Sequence, residues 1–349
     1  MPVSRLPLRV VAVGMALVAG FSAARASAYC RMTTQGEPQV GEARCVERGA
    51  PLVWKDPCLS YAIDYRGSVY MDYAEIEAAV DASFAAWRNV DCDARVVGSG
   101  NPPNVIFRPL QPSTCQRSEY NTTGNVNTIA FLDPWENPCR DEDDPPYEPL
   151  AFAVTIVWHN TTTGEILDAD MMINDQLASR LNAGGPYDDC PDTGCPAGNP
   201  GALGPADLRS IVTHEAGHFI GIGHCSPEDP EDPNDPCVQA TMFYRNERSS
   251  VDKRTLALDD INAVCDIYPP GDLDTSCDPT PMGGLLLNCE TDADGNPLAC
   301  DGPGAAPSNG GCSAYRTAGA SSVPPWSTAL IALLLWVMVA RQRSRPRGV

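Results

Sequence analysis

Residues His214 to His224 read H-E-x-x-H-x-x-G-x-x-H, and this run constrains the chain more than any other. His214 and His218 stand four apart, so a helix projects both from one face, one turn apart. Two imidazoles so placed can hold one zinc ion, with the Glu215 carboxylate beside them to handle a proton. Gly221 follows three residues after His218. A glycine takes positive φ at no steric cost, which ends the helix and turns the chain. His224 can then swing back as a third ligand. Three protein nitrogens leave the fourth zinc position to water, which marks a catalytic rather than a structural site. The competing reading is a set of helix-face histidines with satisfied hydrogen bonds. Five fixed positions arise by chance about once in 10⁴ chains of this length, and three of the four histidines in the chain stand here.

The pattern resembles the metzincin clan of zinc endopeptidases, whose second element is a methionine in a tight turn beneath the zinc. Ala240-Thr241-Met242-Phe243-Tyr244 fits that element, and Ala-Thr-Met-Phe looks most like the Met-turn of matrixin-type enzymes. The resemblance implies that Met242 is an apolar floor under the three imidazoles and not a ligand. Taken alone, Met242 reads as an ordinary core methionine. Two positions depart from the matrixin pattern. Cys225 follows the third histidine where matrixins usually carry Ser, with Ser226 next. Tyr244 stands where astacin- and serralysin-like enzymes hold a tyrosine that ligates zinc or donates to the oxyanion of the transition state. The resemblance offers Tyr244 that role; the alternative is a tyrosine packed at the turn. The fold implied is α+β: a twisted mixed sheet, a zinc-binding active-site helix, and a C-terminal helix after the Met-turn.

The pattern of apolar residues is compatible with such a fold over residues 51–270. Leu59 to Tyr65 alternates like a strand. Asp72 to Val90 reads as a helix, opened by a capping-box-like Asp72 and Glu75 and carrying an apolar stripe of Ile76, Val80, Phe84 and Trp87. Val105 to Phe107, Thr128 to Leu132 and Leu150 to Trp158 are short apolar strands. Thr163 to Asn174 reads as a turn and a strand, and resembles the segment before the zinc helix in bacterial matrixin-like proteases. In that clan an edge strand pairs with an extended peptide substrate; the plain alternative is an ordinary edge strand. Pro205 is expected to open the zinc helix, with Leu208, Ile211, Val212 and Phe219 buried. Leu258 to Tyr268 resembles the closing helix of matrixin catalytic domains. His159, at a strand end, reads as structural or exposed.

The two ends point to export. Residues 1–28 read as a signal peptide, with Arg5 and Arg9 before an apolar run and Ala26-Ser27-Ala28 as the cleavage site. A short N-terminal segment, 29–50, follows. Residues 271–311 form a Cys/Gly/Pro/Asp-rich linker or small module. Residues 312–349 hold a cysteine, the apolar run Trp326 to Ala340 and an arginine cluster, and resemble the C-terminal sorting signals of myxobacterial surface proteins (the MYXO-CTERM type). The resemblance implies processing by sorting machinery; the alternative is a permanent single-span anchor. All 15 cysteines follow the leader and would meet an oxidising compartment. Close spacing suggests Cys190 with Cys195 and Cys225 with Cys237. The odd count leaves one unpaired, and Cys312 is the candidate.

The net charge of −21 repels phosphates and argues against a nucleic-acid partner. It suits a soluble exported protein that also binds calcium. Asp141-Glu142-Asp143-Asp144 is a calcium candidate, though such a run is more often only a solvated loop; Pro227 to Pro236 reads as a substrate-facing or calcium-binding loop or a disulfide-tied excursion, and Asp292-Ala293-Asp294-Gly295-Asn296 resembles a calcium loop without the terminal bidentate Glu. The expectation is an exported zinc metalloendopeptidase acting on protein or peptide substrates, with membrane contact only through the tail. The alternative is a non-catalytic surface peptide-binding protein on a metzincin scaffold, against which the intact Glu215 and histidine triad weigh.

Overall fold

The computed structural model describes residues 29–36, 45, 48–136, 147–177, 187–188, 206–227, 229–245, 250–271, 275–289 and 312–318. The protein is mixed α/β, built on one six-stranded mixed sheet with few helices. The strands are β1 (Cys58–Ile63), β2 (Ile106–Pro109), β3 (Thr128–Leu132), β4 (Ala153–Asn160), β5 (Ile166–Asn174) and β6 (Cys312–Ala318). Their order across the sheet is β6-β4-β5-β3-β1-β2. The neighbours β2, β1, β3 and β5 run parallel; β4 runs antiparallel to β5, and β6 antiparallel to β4.

Helices α1 (Tyr73–Arg88), α2 (Leu208–Phe219) and α3 (Leu258–Ile267) complete the frame. The stripe on α1 is a core stripe: Ile76, Val80, Phe84 and Trp87 are all buried. Each such side chain contributes roughly 1.5–3 kcal/mol of burial energy. They join Ile129, Phe131, Met171, Ile173, Ile211, Val212 and Phe219 in the main core between helices and sheet. The other sheet face carries a smaller cluster around Trp135, Tyr147, Val154, Ile156 and Met172. The capping box expected at Asp72 does not form. The Asp72 side chain makes no cap bond, because the Glu75 and Ile76 N–H groups donate instead to the Asp72 carbonyl, at 3.0 and 3.1 Å.

The segment 166–174 is not an edge. β5 is buried at all nine positions, with β4 folded back on one side and β3 on the other. The tight connection at 161–165 lays β4 antiparallel against β5, and β6 pairs on the far side of β4, so the edge lies two strands out from β5.

Five disulfides lie among the described residues, a number that suits folding in an oxidising compartment. Cys225–Cys237 is the pair that spacing suggested. Cys92–Cys265 ties the chain beyond α1 to α3, and Cys58–Cys277 and Cys115–Cys289 fasten residues 275–289 to the sheet region. The Ser60 hydroxyl donates to the Pro279 carbonyl at 2.7 Å on the same path. Among the described residues no helix is long and apolar enough to cross a membrane. The leader at 1–28, the Cys190–Cys195 pair, the apolar run 326–340, the side chain of Cys312 and the acidic stretches 141–144 and 292–296 lie outside what is described.

Candidate metal centre

The helix that carries the motif starts at Leu208, three residues later than Pro205, because Asp207 is its N-cap. Asp207 accepts from Ser210 N–H at 2.8 Å and Ser210 O–H at 2.7 Å, satisfying an orphan donor of the first turn. The same buried carboxylate takes two donors from the Arg254 guanidinium, Nε at 2.8 Å and Nη2. This bidentate pair locks the start of α2 to the segment that follows the methionine turn.

The far end of α2 is equally tied. Trp54 Nε1 donates to the Phe219 carbonyl at 2.8 Å and Tyr268 O–H to the Ile220 carbonyl at 3.0 Å. Gly221 has φ +88°, and a Cβ there would stand 2.6 Å from the Leu52 carbonyl oxygen. Only glycine fits that turn, and the turn brings His224 back toward the helix.

The three histidines converge. His214, His218 and His224 are all buried. His214 Nδ1 lies 2.6 Å from the Thr241 carbonyl oxygen and His218 Nδ1 lies 2.9 Å from the Ile222 carbonyl oxygen. A carbonyl only accepts, so each Nδ1 carries the hydrogen and each Nε2 presents a lone pair. His224 Nε2 stands 3.1 Å from His214 Nε2 and 3.3 Å from His218 Nε2. The His214 and His218 lone pairs both face His224 Nε2, an arrangement that suits a shared cation. Tetrahedral nitrogen ligands about 2.05 Å from one ion stand about 3.3 Å apart, so the donor set fits a metal. Burial, then the charge of Lys253 and the neighbouring His218 and His224, hold His214 well below the usual imidazole range, which keeps it neutral as a ligand must be. Among the described residues this triad is the group of three or more metal-ligating side chains close enough to share an ion.

Glu215 is fully buried, and the Thr155 hydroxyl on β4 donates to its Oε2 at 2.6 Å. Thr155 was not legible from the sequence, since it lies 60 residues before Glu215 and no local spacing joins them. Met242 lies under α2. A Cβ on Gly217 would overlap the Met242 sulfur and stand 2.7 Å from Trp87 Cζ2. The Trp87 indole donates to the Thr213 carbonyl at 2.7 Å, so α1, α2 and Met242 meet at one point.

The turn around Met242 is held by Asp260, another residue the sequence did not single out for a role at the site. Its buried carboxylate accepts from Thr241 N–H (2.8 Å), Met242 N–H (3.0 Å) and Ala257 N–H (2.8 Å). Burial pushes this carboxyl up, against the pull of the three N–H groups and Lys253. Tyr244 is half-buried. Its ring packs on Phe243 at 4.8 Å and under the Arg245 guanidinium at 5.3 Å, beside the cluster around Cys225 and Cys237. His159 is buried, with Nδ1 on the Val157 carbonyl at 3.2 Å. In the loop after Ser226, Asp229 and Asp232 accept from Glu231 and Asn234 N–H, so these carboxylates serve local turns. No protein-family model matches the chain, and no curated protein matches it.

Proposed function

We propose that the chain is a zinc-dependent metalloendopeptidase of metzincin type that hydrolyses peptide bonds in proteins. The observation that carries this is the convergence of three buried imidazole Nε2 atoms on one point, with a buried carboxylate beside them. Neutral imidazoles suit several first-row metals, and three of them with an open position suit zinc best. Zinc bound there supplies a Lewis acid that acidifies a water molecule and polarises a carbonyl.

The chain's own residues supply the rest. The His214 and His218 Nδ1–H bonds to carbonyls fix both tautomers and ring orientations. Glu215 accepts the proton of the attacking water and returns it to the leaving amine. Thr155 anchors one carboxylate oxygen at 2.6 Å, which holds Glu215 in a single orientation. Met242 packs against Gly217 of α2 and forms the apolar floor beneath the helix. Tyr244 is the proposed donor to the developing oxyanion, a role that rests on its position two after Met242. The disulfides support an extracellular or surface setting, so the substrates are exported or external proteins.

The test uses the full chain made in an oxidising host, with zinc content and cleavage of quenched casein measured with and without chelator. One zinc per chain and chelator-sensitive cleavage are expected. Glu215→Gln should keep the zinc and lose turnover by about 10²–10⁴-fold. Full activity in that variant would sink the role of Glu215, and a folded chain that binds no zinc would sink the metal reading.

A further inference from the structure

The sheet edge that reaches the candidate site is already filled by the chain itself. β4 is the strand that touches Glu215, through the Thr155 hydroxyl at 2.6 Å. One side of β4 is taken by β5. Its other side is the side an extended peptide would need, because an edge strand offers a row of backbone N–H and C=O groups. Segment Cys312–Ala318 pairs there, antiparallel, over seven residues from Cys312 opposite Asn160 to Ala318 opposite Val154. Thr317 stands opposite Thr155, so the segment's backbone runs past the strand position that holds Glu215.

We infer that segment 312–318 is a built-in competitor for extended peptides at the β4 edge, and that its displacement opens the site. An edge can carry one partner strand, so any peptide that adds to β4 must first remove β6. A strand tethered to the same chain is presented at about millimolar effective concentration. If it binds β4 with a dissociation constant of about 0.1 mM, it raises the apparent KM about tenfold. The competitor role rests on the peptidase reading above; the occupancy of the edge does not.

The experiment replaces Tyr315 and Arg316 together by proline in the full chain. Successive N–H groups of a strand point to opposite sides, so two adjacent prolines remove a ladder donor whichever of the two faces β4. Hydrogen exchange reads occupancy without any need for catalysis. Outward amides of 153–160 should exchange at least about tenfold faster in the variant, while those of 166–174 keep their protection. A synthetic peptide of residues 312–318 added in trans should restore the protection. In casein cleavage, KM should fall about tenfold with kcat unchanged, and the peptide should inhibit competitively. Unchanged exchange across 153–160 overturns the inference. Faster exchange with unchanged KM overturns the competitor role. Faster exchange with no cleavage by either form sinks the peptidase reading and leaves the strand docking in place. Should the double proline variant lose protection in β5 as well, Asn160→Cys decides: a disulfide between positions 160 and 312 forms if the segment sits on β4, and its absence in the oxidised, folded variant overturns the inference.

Discussion

The Thr241 carbonyl oxygen lies 2.6 Å from His214 Nδ1. Asp260 holds that peptide in turn, accepting from the N–H groups of Thr241 and Met242. The orientation of a proposed metal ligand therefore depends on a carboxylate 46 positions along the chain. Asp260→Asn replaces one acceptor oxygen by an N–H₂ that opposes the backbone N–H groups. Partners of this kind are worth about 10–100-fold in metal affinity. Zinc affinity, measured by competition with a chromophoric chelator, should weaken by about that factor with the fold retained by circular dichroism. Unchanged affinity would show that the turn holds its shape without Asp260.

Gly217 faces the Met242 sulfur and the Trp87 ring at distances that no Cβ tolerates. Gly217→Ala should therefore destabilise by about 1–3 kcal/mol, despite the better helix propensity of alanine. Met242→Ala opens space and should cost about 2–5 kcal/mol alone. Together the two should cost less than their sum, because one methyl fills part of the other's cavity. Additive losses in urea unfolding would mean that the two positions are not in contact.

The motif and the core stripes were legible because they are local. His214, His218, Gly221 and His224 lie within eleven residues, and Ile76, Val80, Phe84 and Trp87 repeat at helical spacing on one helix. Strand Thr128–Leu132 was read to its residue bounds for the same reason. What was not legible is what the topology brings together. The place of β4 between β5 and β6, the Thr155–Glu215 bond and the Asp207–Arg254 pair each join residues at least 47 positions apart, or depend on strand order. The capping box failed for a local reason: its donors had a nearer acceptor in the Asp72 carbonyl.

Arg254 and Asp207 form a buried ion pair, with Asp207 fully buried. Removing one partner leaves the other charge buried and uncompensated, which costs about 3–5 kcal/mol. Arg254→Met should lower stability by about that much, as read by urea unfolding at constant zinc. Asp207→Asn also weakens the cap on α2 but can still accept from Ser210, so its loss should be smaller at the helix start. Equal stability of Arg254→Met and the parent would show that the pair contributes nothing net.

Asp168 and Asp170 stand on one face of β5, and both are buried. Asp168 accepts from Asn125 Nδ2 at 2.8 Å, and Asp170 from Thr128 N–H at 2.9 Å and Glu119 N–H at 3.1 Å. Burial, reinforced by the Asp170 charge, pushes the Asp168 carboxyl well up, and burial raises Asp170 to about 7. The ordinary carboxylate value of about 3.9 describes the unfolded chain. The folded state thus binds an extra proton between about pH 4 and pH 7, and the stability this contributes is complete below pH 4 and lost as pH rises through the folded value. The slope should reach about 1.4 kcal/mol per pH unit for one proton. The titration of His214 has the opposite sign, since its folded value is depressed, so the pair must be read as a difference. Asp168→Asn removes the shared proton and offers N–H groups to Asp170. Unfolding free energies of parent and variant, compared at pH 5, 6, 7 and 8, should diverge, with the parent losing ground to the variant as pH rises. Parallel curves would show that the two carboxyls do not hold a proton in the folded state.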